Sequence, residues 1–325
     1  MLSIQSLHSF EQLKLLADPR RLRILRLLMS GQASLTMLGQ QLGEHPAWVR
    51  HHLKQLEVAG LVELVETHIE AGVVEKFYQA CASCLLVQEL ILPYNTSHPA
   101  IVFSGSHDLA VELLARQLSE HLDILTIPVG SLDGLVTLRQ NLCHLAGAHL
   151  LDANGEYNLP FIRHLFPDRV MQVVTLAHRE QGLIVAPGNP KSIRTVADLA
   201  RTDVTIVNRN LGSGTRLWLD RQFHALGILP ANVRGYETAV KTHTESARLV
   251  QSGAADATIG LHAAASQFGL DFIPLFHERY DFVIPHEQVP QVTPLLETIQ
   301  TGAFRRSVTA LTGYETTHTG EQIPL

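Results

Sequence analysis

Between Val204 and Gly227 the sequence reads VTIVNRNLGSGTRLWLDRQFHALG: an apolar β-branched run, a tight Leu211-Gly212-Ser213-Gly214-Thr215 loop, and an amphipathic helix predicted from near Arg216. A strand that turns through glycines into a helix start aims several backbone N–H groups at one point, and the helix dipole adds partial positive charge there. That chemistry suits an anion. Arg216 adds a planar, permanently charged fork to the first turn, while Ser213 and Thr215 carry hydroxyls that either cap the helix or donate to a ligand. The loop is not a P-loop, which ends in Gly-Lys-Ser/Thr, because Gly214 is followed by Thr215 and Arg216. Taken alone it also fits a well-capped strand-to-helix turn that holds nothing.

Two more junctions, Ser104-Gly105-Ser106-His107-Asp108 and Gly130-Ser131-Leu132-Asp133-Gly134, place small residues and hydroxyls before a predicted helix in the same way. His107, His149, His243 and His262 fall at predicted strand ends or helix starts, where an imidazole can donate to an anion, ligate a divalent metal or simply pack. Ser106-His107-Asp108 has the residue types of a hydrolase triad, but consecutive residues cannot form a relay in which each side chain faces the next. There is no G-x-S-x-G, HExxH or P-loop lysine. These patterns point to a binding protein and not to an enzyme.

The elements that must hold these residues alternate from Ala100 onward: IVFSGSHD into LAVELLARQLSEHL, ILTIPVGSLDG into LVTLRQNLCHL, then AGAHLLD. Such alternation implies a parallel sheet with helices on both faces, and ligands of such sheets bind at the carboxyl ends of the strands. GLIVAPGNP, GAADATIG, a second crossing DFIPLFHERYDFVIP and a terminal helix from Leu295 follow. The first third is different. Helical spacing runs from Ser6 to Leu16, from Pro19 to Ser30, from Leu35 to Leu42 with Ser34 as cap, and again from Pro46. On the fourth helix Val49, Leu53 and Leu56 form the inward stripe, leaving Ala47, Arg50, His51, Lys54 and Gln55 outward, a face suited to phosphates and base edges. Leu61–His68 and Val73–Gln79 flank Glu70-Ala71-Gly72 as a hairpin wing. Cys84 to Pro93 is apolar with helical spacing, and 93–99 reads as a linker.

ADPRRLRILRLL and LTMLGQQLGEHPAWVRHHLKQLEVAGLV, within residues 8–80, resemble the winged helix-turn-helix of the ArsR family of bacterial repressors. The resemblance implies a recognition helix from Pro46, a double-stranded DNA operator and a homodimer on a twofold site. Trp48 and Arg50 stand where small hydroxyl residues are common, so Trp48 joins the candidate DNA-binding set, and the metal-binding cysteine box of that family's sensors is missing. The segment from about Ser97 resembles type II periplasmic binding proteins, and in particular molybdate- and tungstate-binding proteins, through SGSHDL, GLIVAPGNP, VNRNLGSGTR and GAADATIG. This implies two α/β lobes clamping a solute, with Ser104, Ser106 and Ser131 on one lobe and Ser213, Thr215 and Arg216 on the other. His149 and His243 complete the candidate ligand set.

Composition agrees with two domains. The 325 residues are 46% hydrophobic, enough for real cores, and the net charge of −6 excludes nucleic-acid binding over the whole surface. In residues 1–60 the seven bases Lys14, Arg20, Arg21, Arg23, Arg26, Arg50 and Lys54 outnumber the acids. Cys81, Cys84 and Cys143 make no disulfide framework, and Cys81-x-x-Cys84 has no second pair to complete a thiolate zinc site. With no secretory signal or apolar run of membrane-spanning length in the sequence, a cytoplasmic protein without a membrane partner is expected. The expected architecture is α/β: a winged helix-turn-helix domain over residues 1–93, then a binding-protein-like domain over 97–325. Its lobe one takes about 97–180 and 272–325, and lobe two about 181–271. The expected function is a one-component transcription regulator sensing a small anionic effector such as molybdate or tungstate, with no cofactor or resident metal. The alternative is an oxyanion storage or delivery protein, or an interaction protein, that uses the winged helix only to dimerise.

Overall fold

In the computed structural model, which describes residues 5–7, 9–70, 73–87, 90–92 and 98–325, the chain divides into two units, Met1–Ile91 and Leu92–Leu325. The linker expected at 93–99 lies, for 93–97, outside the described residues. The first unit opens on β1 (Gln5–Leu7) and α1 (Phe10–Leu16). α2 (Pro19–Ser30) starts where the Asp18 side chain accepts from the Arg20 N–H, with Pro19 at a position that needs no donor. After β2 (Ala33–Ser34), Ser34 caps α3 (Leu35–Leu42), which Gly43 ends at φ +69°. α4 (Pro46–Val58) begins with the His45 ring accepting from the Ala47 N–H. β3 (Val62–Glu70) and β4 (Val73–Ala80) then pair antiparallel as the expected wing, with β2 on the far side of β4. The turn residues Ala71 and Gly72 lie outside the described residues. Ile24, Leu25, Leu28, Leu38, Val49, Leu53 and Leu56 pack into one core, each large side chain contributing about 2 kcal/mol by leaving water.

Two helical expectations are corrected here. The helix read from Ser6 begins only at Phe10, and within the Cys84–Pro93 stretch β5 (Leu85–Val87) pairs in parallel with β1. Leu7 is completely buried in the core of this unit. Segments of three residues carry no period of their own, so their long-range partner decides their conformation.

The second unit starts with β6 (Ala100–Gly105), α5 (Leu109–Leu118), β7 (Asp123–Pro128), α6 (Ser131–Arg139), β8 (Leu145–Ala148) and α7 (Leu159–Leu165). β9 (Met171–Val185) carries the chain into the second lobe, built from β10 (Asn208–Arg209), α8 (Gly214–Ala225), β11 (Ala239–Val240), α9 (His243–Gln251), β12 (Ala257–Leu261) and α10 (His262–Gln267). β13 (Asp271–Pro285) brings it back to α11 (Val289–Gln300), α12 (Gly302–Thr309), β14 (Tyr314–Glu315) and β15 (Gln322–Ile323). The terminal helical region therefore begins at Val289, where Pro290 sits in the first turn, and not at Leu295.

The main sheet has the order β12-β9-β13-β8-β6-β7, with β14 and β15 on β9. It is mixed and not parallel: β6 runs parallel to β7 and β8, but β9 and β13 are antiparallel to each other and to their outer neighbours. A chain that crosses out and back must lay its two crossings side by side in opposite directions. The strand expected from Val204 is extended, yet ladder pairing is confined to Asn208–Arg209, with Ile206 bridging Ala257. Its N–H groups are still satisfied from both sides, Ile206 and Asn208 by the Arg234 and Thr238 carbonyls and Val207 by that of Ala257.

Candidate functional site

Each 15-residue crossing strand carries a run of polar and charged residues in its middle, His178-Arg179-Glu180-Gln181 in β9 and His277-Glu278-Arg279 in β13. The register sets Arg179 opposite Glu278, so the two lobes meet at a buried ion pair. Arg179 Nε donates to Glu278 Oε1 at 2.6 Å and Nη1 to Asp108 Oδ2 at 2.6 Å, while the guanidinium lies 4.4 Å from the Tyr280 ring centroid. Burial alone would push the Arg179 pKa down, but the two carboxylates more than offset this and raise it. Asp108 also caps α5, accepting from the Ala110 and Val111 N–H groups, and accepts from the Tyr314 hydroxyl at 2.6 Å. Gln181 donates to Glu278 Oε1 and accepts from the Thr215 hydroxyl, and the Tyr280 hydroxyl donates to Ser106 O. His149 stands between Ser106 Oγ, 2.9 Å from its Nε2, and Glu278 Oε2, a close but poorly aligned 2.8 Å from its Nδ1.

Within and beside this network stand buried donors without acceptors. Arg209, 1% exposed, donates from Nη2 to Lys241 O at 2.8 Å, but its Nε and Nη1 have no partner among the described residues. Burial, then the repulsion of Arg179, push its pKa down to about 9. Arg179 Nη2 and both ring nitrogens of the fully buried His243 are likewise unpartnered. The His243 backbone N–H points at His107 Nδ1, 3.4 Å away, and burial followed by Arg209 and Arg179 pushes the ring pKa well below its ordinary value. Buried donors without acceptors cost about 1–3 kcal/mol each, more when charged. An anion is the group that would satisfy them.

The lobes are closed on each other around this cluster. Leu132 N–H donates to Gly212 O at 3.2 Å, the Asn210 amide to Val129 O at 2.5 Å, and Arg221 to Asp152 O at 3.2 Å. At Gly130, φ +108°, a Cβ would lie 3.0 Å from the Ser213 nitrogen, so the close approach requires glycine. The two serine-and-glycine loops read as facing jaws thus touch directly. A narrow cleft remains, running from His149 and Glu278 to a mouth of Tyr157, Arg221 and the stacked pair Trp218 and Phe276, whose ring centroids are 4.2 Å apart.

Of the eight ligand residues expected from sequence, Ser106, His149 and His243 stand in the central cluster. Ser131 and Thr215 border it, Ser131 Oγ accepting from the His149 N–H and Thr215 holding Gln181. Three are engaged elsewhere. Ser104 Oγ pairs with Thr137, and Ser213 Oγ caps α8 by accepting from the Arg216 N–H. The Arg216 guanidinium turns into its own lobe, donating to the carbonyls of Arg209 and Tyr236 and lying 3.9 Å from the Tyr236 ring centroid. It holds the Arg209 backbone instead of presenting its charge to the cleft. His262 is away from the cluster, tied to Glu180 and stacked on Phe272. Sequence reasoning passed over Arg179, Gln181, Arg209 and Glu278. For Arg179, Gln181 and Glu278 the signal available was charge at the middle of a long strand.

On α4, Ala47, Arg50, His51 and Lys54 are exposed as expected, and Arg50 shares a groove with Ser34, Thr36 and Lys76 at the base of the wing. Trp48 and Gln55 are only half exposed. Trp48 packs edge-on to the buried His52, with ring centroids 4.5 Å apart, and Gln55 Oε1 accepts from Arg21. His52 joins the inward stripe, and its burial pushes its pKa down.

Comparison with known proteins agrees with this division. The PBP superfamily domain model matches residues 111–300, and the model of bacterial regulatory proteins of the arsR family matches residues 18–63. YvgK of Bacillus subtilis (strain 168) is 36% identical over 228 residues, covering 69% of this chain and 74% of that protein. A protein in the 5′ region of a ferredoxin 2Fe-2S gene of Clostridium pasteurianum is 35% identical over 106 residues, 32% of this chain and 94% of its own. Among solved structures, the sulfate-binding protein SubI of Mycobacterium tuberculosis H37Rv is similar in fold, with TM-score 0.50 and 13% identity over 67% of this chain and 86% of that one.

Proposed function

The chain belongs to the PBP superfamily and carries an arsR-family domain ahead of that part, and from this premise we propose that it is a cytoplasmic one-component transcription regulator. A homodimer of the winged helix-turn-helix binds a double-stranded DNA operator, and the binding-protein-like unit clamps a small anionic effector. The observation that carries the anion is Arg209, a buried guanidinium with two idle N–H donors beside a second buried arginine. A tetrahedral oxyanion of the molybdate or tungstate class offers acceptors on all sides, and charge-assisted bonds are about twice as strong as neutral ones. Binding favours the closed lobes, and closure shifts operator affinity by no more than the ligand's differential affinity for the two states.

A thermal-shift screen of molybdate, tungstate, sulfate, phosphate, divalent metals and amino acids tests the effector, since a ligand specific to the native state raises the melting temperature. Stabilisation by amino acids or metals alone would overturn the anion assignment. Gly130→Ala, by keeping the jaws apart, is expected to weaken oxyanion binding about tenfold or more in titration calorimetry.

Arg50→Ala and Lys54→Ala should each weaken binding to the protein's own promoter region and lower the log–log salt slope by about 1, with the oxyanion melting shift intact. Promoter binding without a salt slope, or no binding at all, would favour an oxyanion store or carrier whose winged helix serves only for dimerisation. Two of the six expected contact residues, Trp48 and Gln55, are already engaged within their own domain, which keeps that second reading under test.

A further inference from the structure

The buried groups at the lobe junction are electrically balanced before any ligand arrives. Two guanidinium groups, Arg179 and Arg209, are matched in number by two carboxylates, Asp108 and Glu278, both of which pair with Arg179, and burial pushes the His149 and His243 rings toward the neutral form. A doubly charged oxyanion would leave two uncompensated negative charges in a dry site, a costly state unless a cation joins them. We propose that the oxyanion is bound together with one proton, which lodges on the His243 ring and makes the effector signal depend on pH. This deepens the anion reading above and rests on it.

Hydrogen-bond inventory selects the ring. A neutral imidazole has one donor and one acceptor, whereas an oxyanion only accepts, so neutral His243 cannot use both of its idle nitrogens on such a ligand. Protonated, it offers two donors. The other two rings already face protein groups on both sides: His149 between Ser106 and Glu278, and His107 between Glu112, 2.7 Å away, and the His243 N–H. The surroundings of His243 are otherwise poor in acids. β10 presents Arg209, β9 presents Arg179, and the turns after β6 and β8 present His107 and His149. β11 and β12 carry no ionisable side chain, His262 of α10 is tied to Glu180, and Glu245 on α9 itself is occupied by the Lys241 and Thr242 N–H groups. With no ligand, burial and then the two guanidinium groups favour the neutral ring. A dianion against Arg209 reverses that balance.

Titration calorimetry of the full-length protein with sodium molybdate and sodium sulfate, repeated in imidazole and Tris buffers, reads the protons taken up per anion bound. About one proton at pH 8, and an affinity that falls about tenfold per pH unit above that, are expected. In His243→Asn, whose amide donates but does not titrate, uptake should fall to near zero along with the pH dependence. Tight binding with no proton uptake would overturn the proton inference and leave the anion reading standing. Binding of neither anion would overturn both. One proton still taken up by the Asn variant would place the charge on another group and overturn the His243 assignment. Should that variant not fold, ring nitrogen NMR of the unaltered protein decides: a His243 ring still neutral in the molybdate complex overturns the proposal.

Discussion

Arg209→Met is expected to raise the melting temperature of the ligand-free protein and, in the same variant, to abolish the shift produced by oxyanions. Both effects follow from one fact, a buried guanidinium with two donors unused and its pKa pushed down to about 9 by burial and by Arg179. Replacing a buried, poorly paired charge with an apolar side chain of similar length is often stabilising by about 1–4 kcal/mol. For a domain of this size each kcal/mol is about 2–4 °C. The lost ligand bonds are charge-assisted, about 1.5–3 kcal/mol apiece, so losing two weakens affinity about 100-fold or more. Arg216→Ala should behave in the opposite way. Its guanidinium packs on Tyr236 and props up the Arg209 carbonyl, so its loss should lower the melting temperature, with only an indirect effect on the ligand. Differential scanning calorimetry with and without molybdate reads both variants. A destabilised Arg209→Met that still binds would remove Arg209 from the site.

The contrast between these two arginines shows how far the sequence could be read. The first unit was legible because its helix boundaries are written in local chemistry: Asp18-Pro19, Ser34 and Pro46 each cap or open a helix at the expected place. β1 and β5 were not, because each is three residues long and exists only through the other. In the second unit the strand-to-helix loops named Ser106, His149 and His243, which the fold brings into one buried cluster. They did not show that the loops at Gly130 and Gly212 close directly on each other. Arg216 drew attention by sitting at a helix start, but a residue in a first turn can face either the cleft or its own lobe, and spacing does not say which. Arg179 and Glu278 lie 99 positions apart and become a pair only through the register of β9 and β13. A long strand with charges at its centre was the visible trace of that pairing.

That pairing should also be where the second unit is most easily broken. Glu278 accepts from Arg179 and Gln181 and lies beside His149, so Glu278→Ala leaves a buried guanidinium held by Asp108 alone. Removing one partner of a buried pair costs about 3–5 kcal/mol, enough to shift the urea midpoint of this unit by about 1 M or more. Glu278→Gln, which keeps the shape and one acceptor, should lose less. The double variant Arg179→Met/Glu278→Leu should recover much of the loss, because no uncompensated charge remains; a double variant as unstable as the sum of the single ones would contradict this account. Acid provides an independent check. Burial alone would raise the Glu278 pKa, but Arg179 and then His149 outweigh it and hold the carboxyl at about 2, below the 4.5 of a free glutamate. A carboxyl with a depressed folded pKa contributes stability that is present above 4.5 and is lost as pH falls toward about 2. Urea midpoints of the unaltered protein should therefore fall across that window, and those of Glu278→Gln should fall less steeply. Parallel curves for the two proteins would mean that this pair does not hold the crossing strands together.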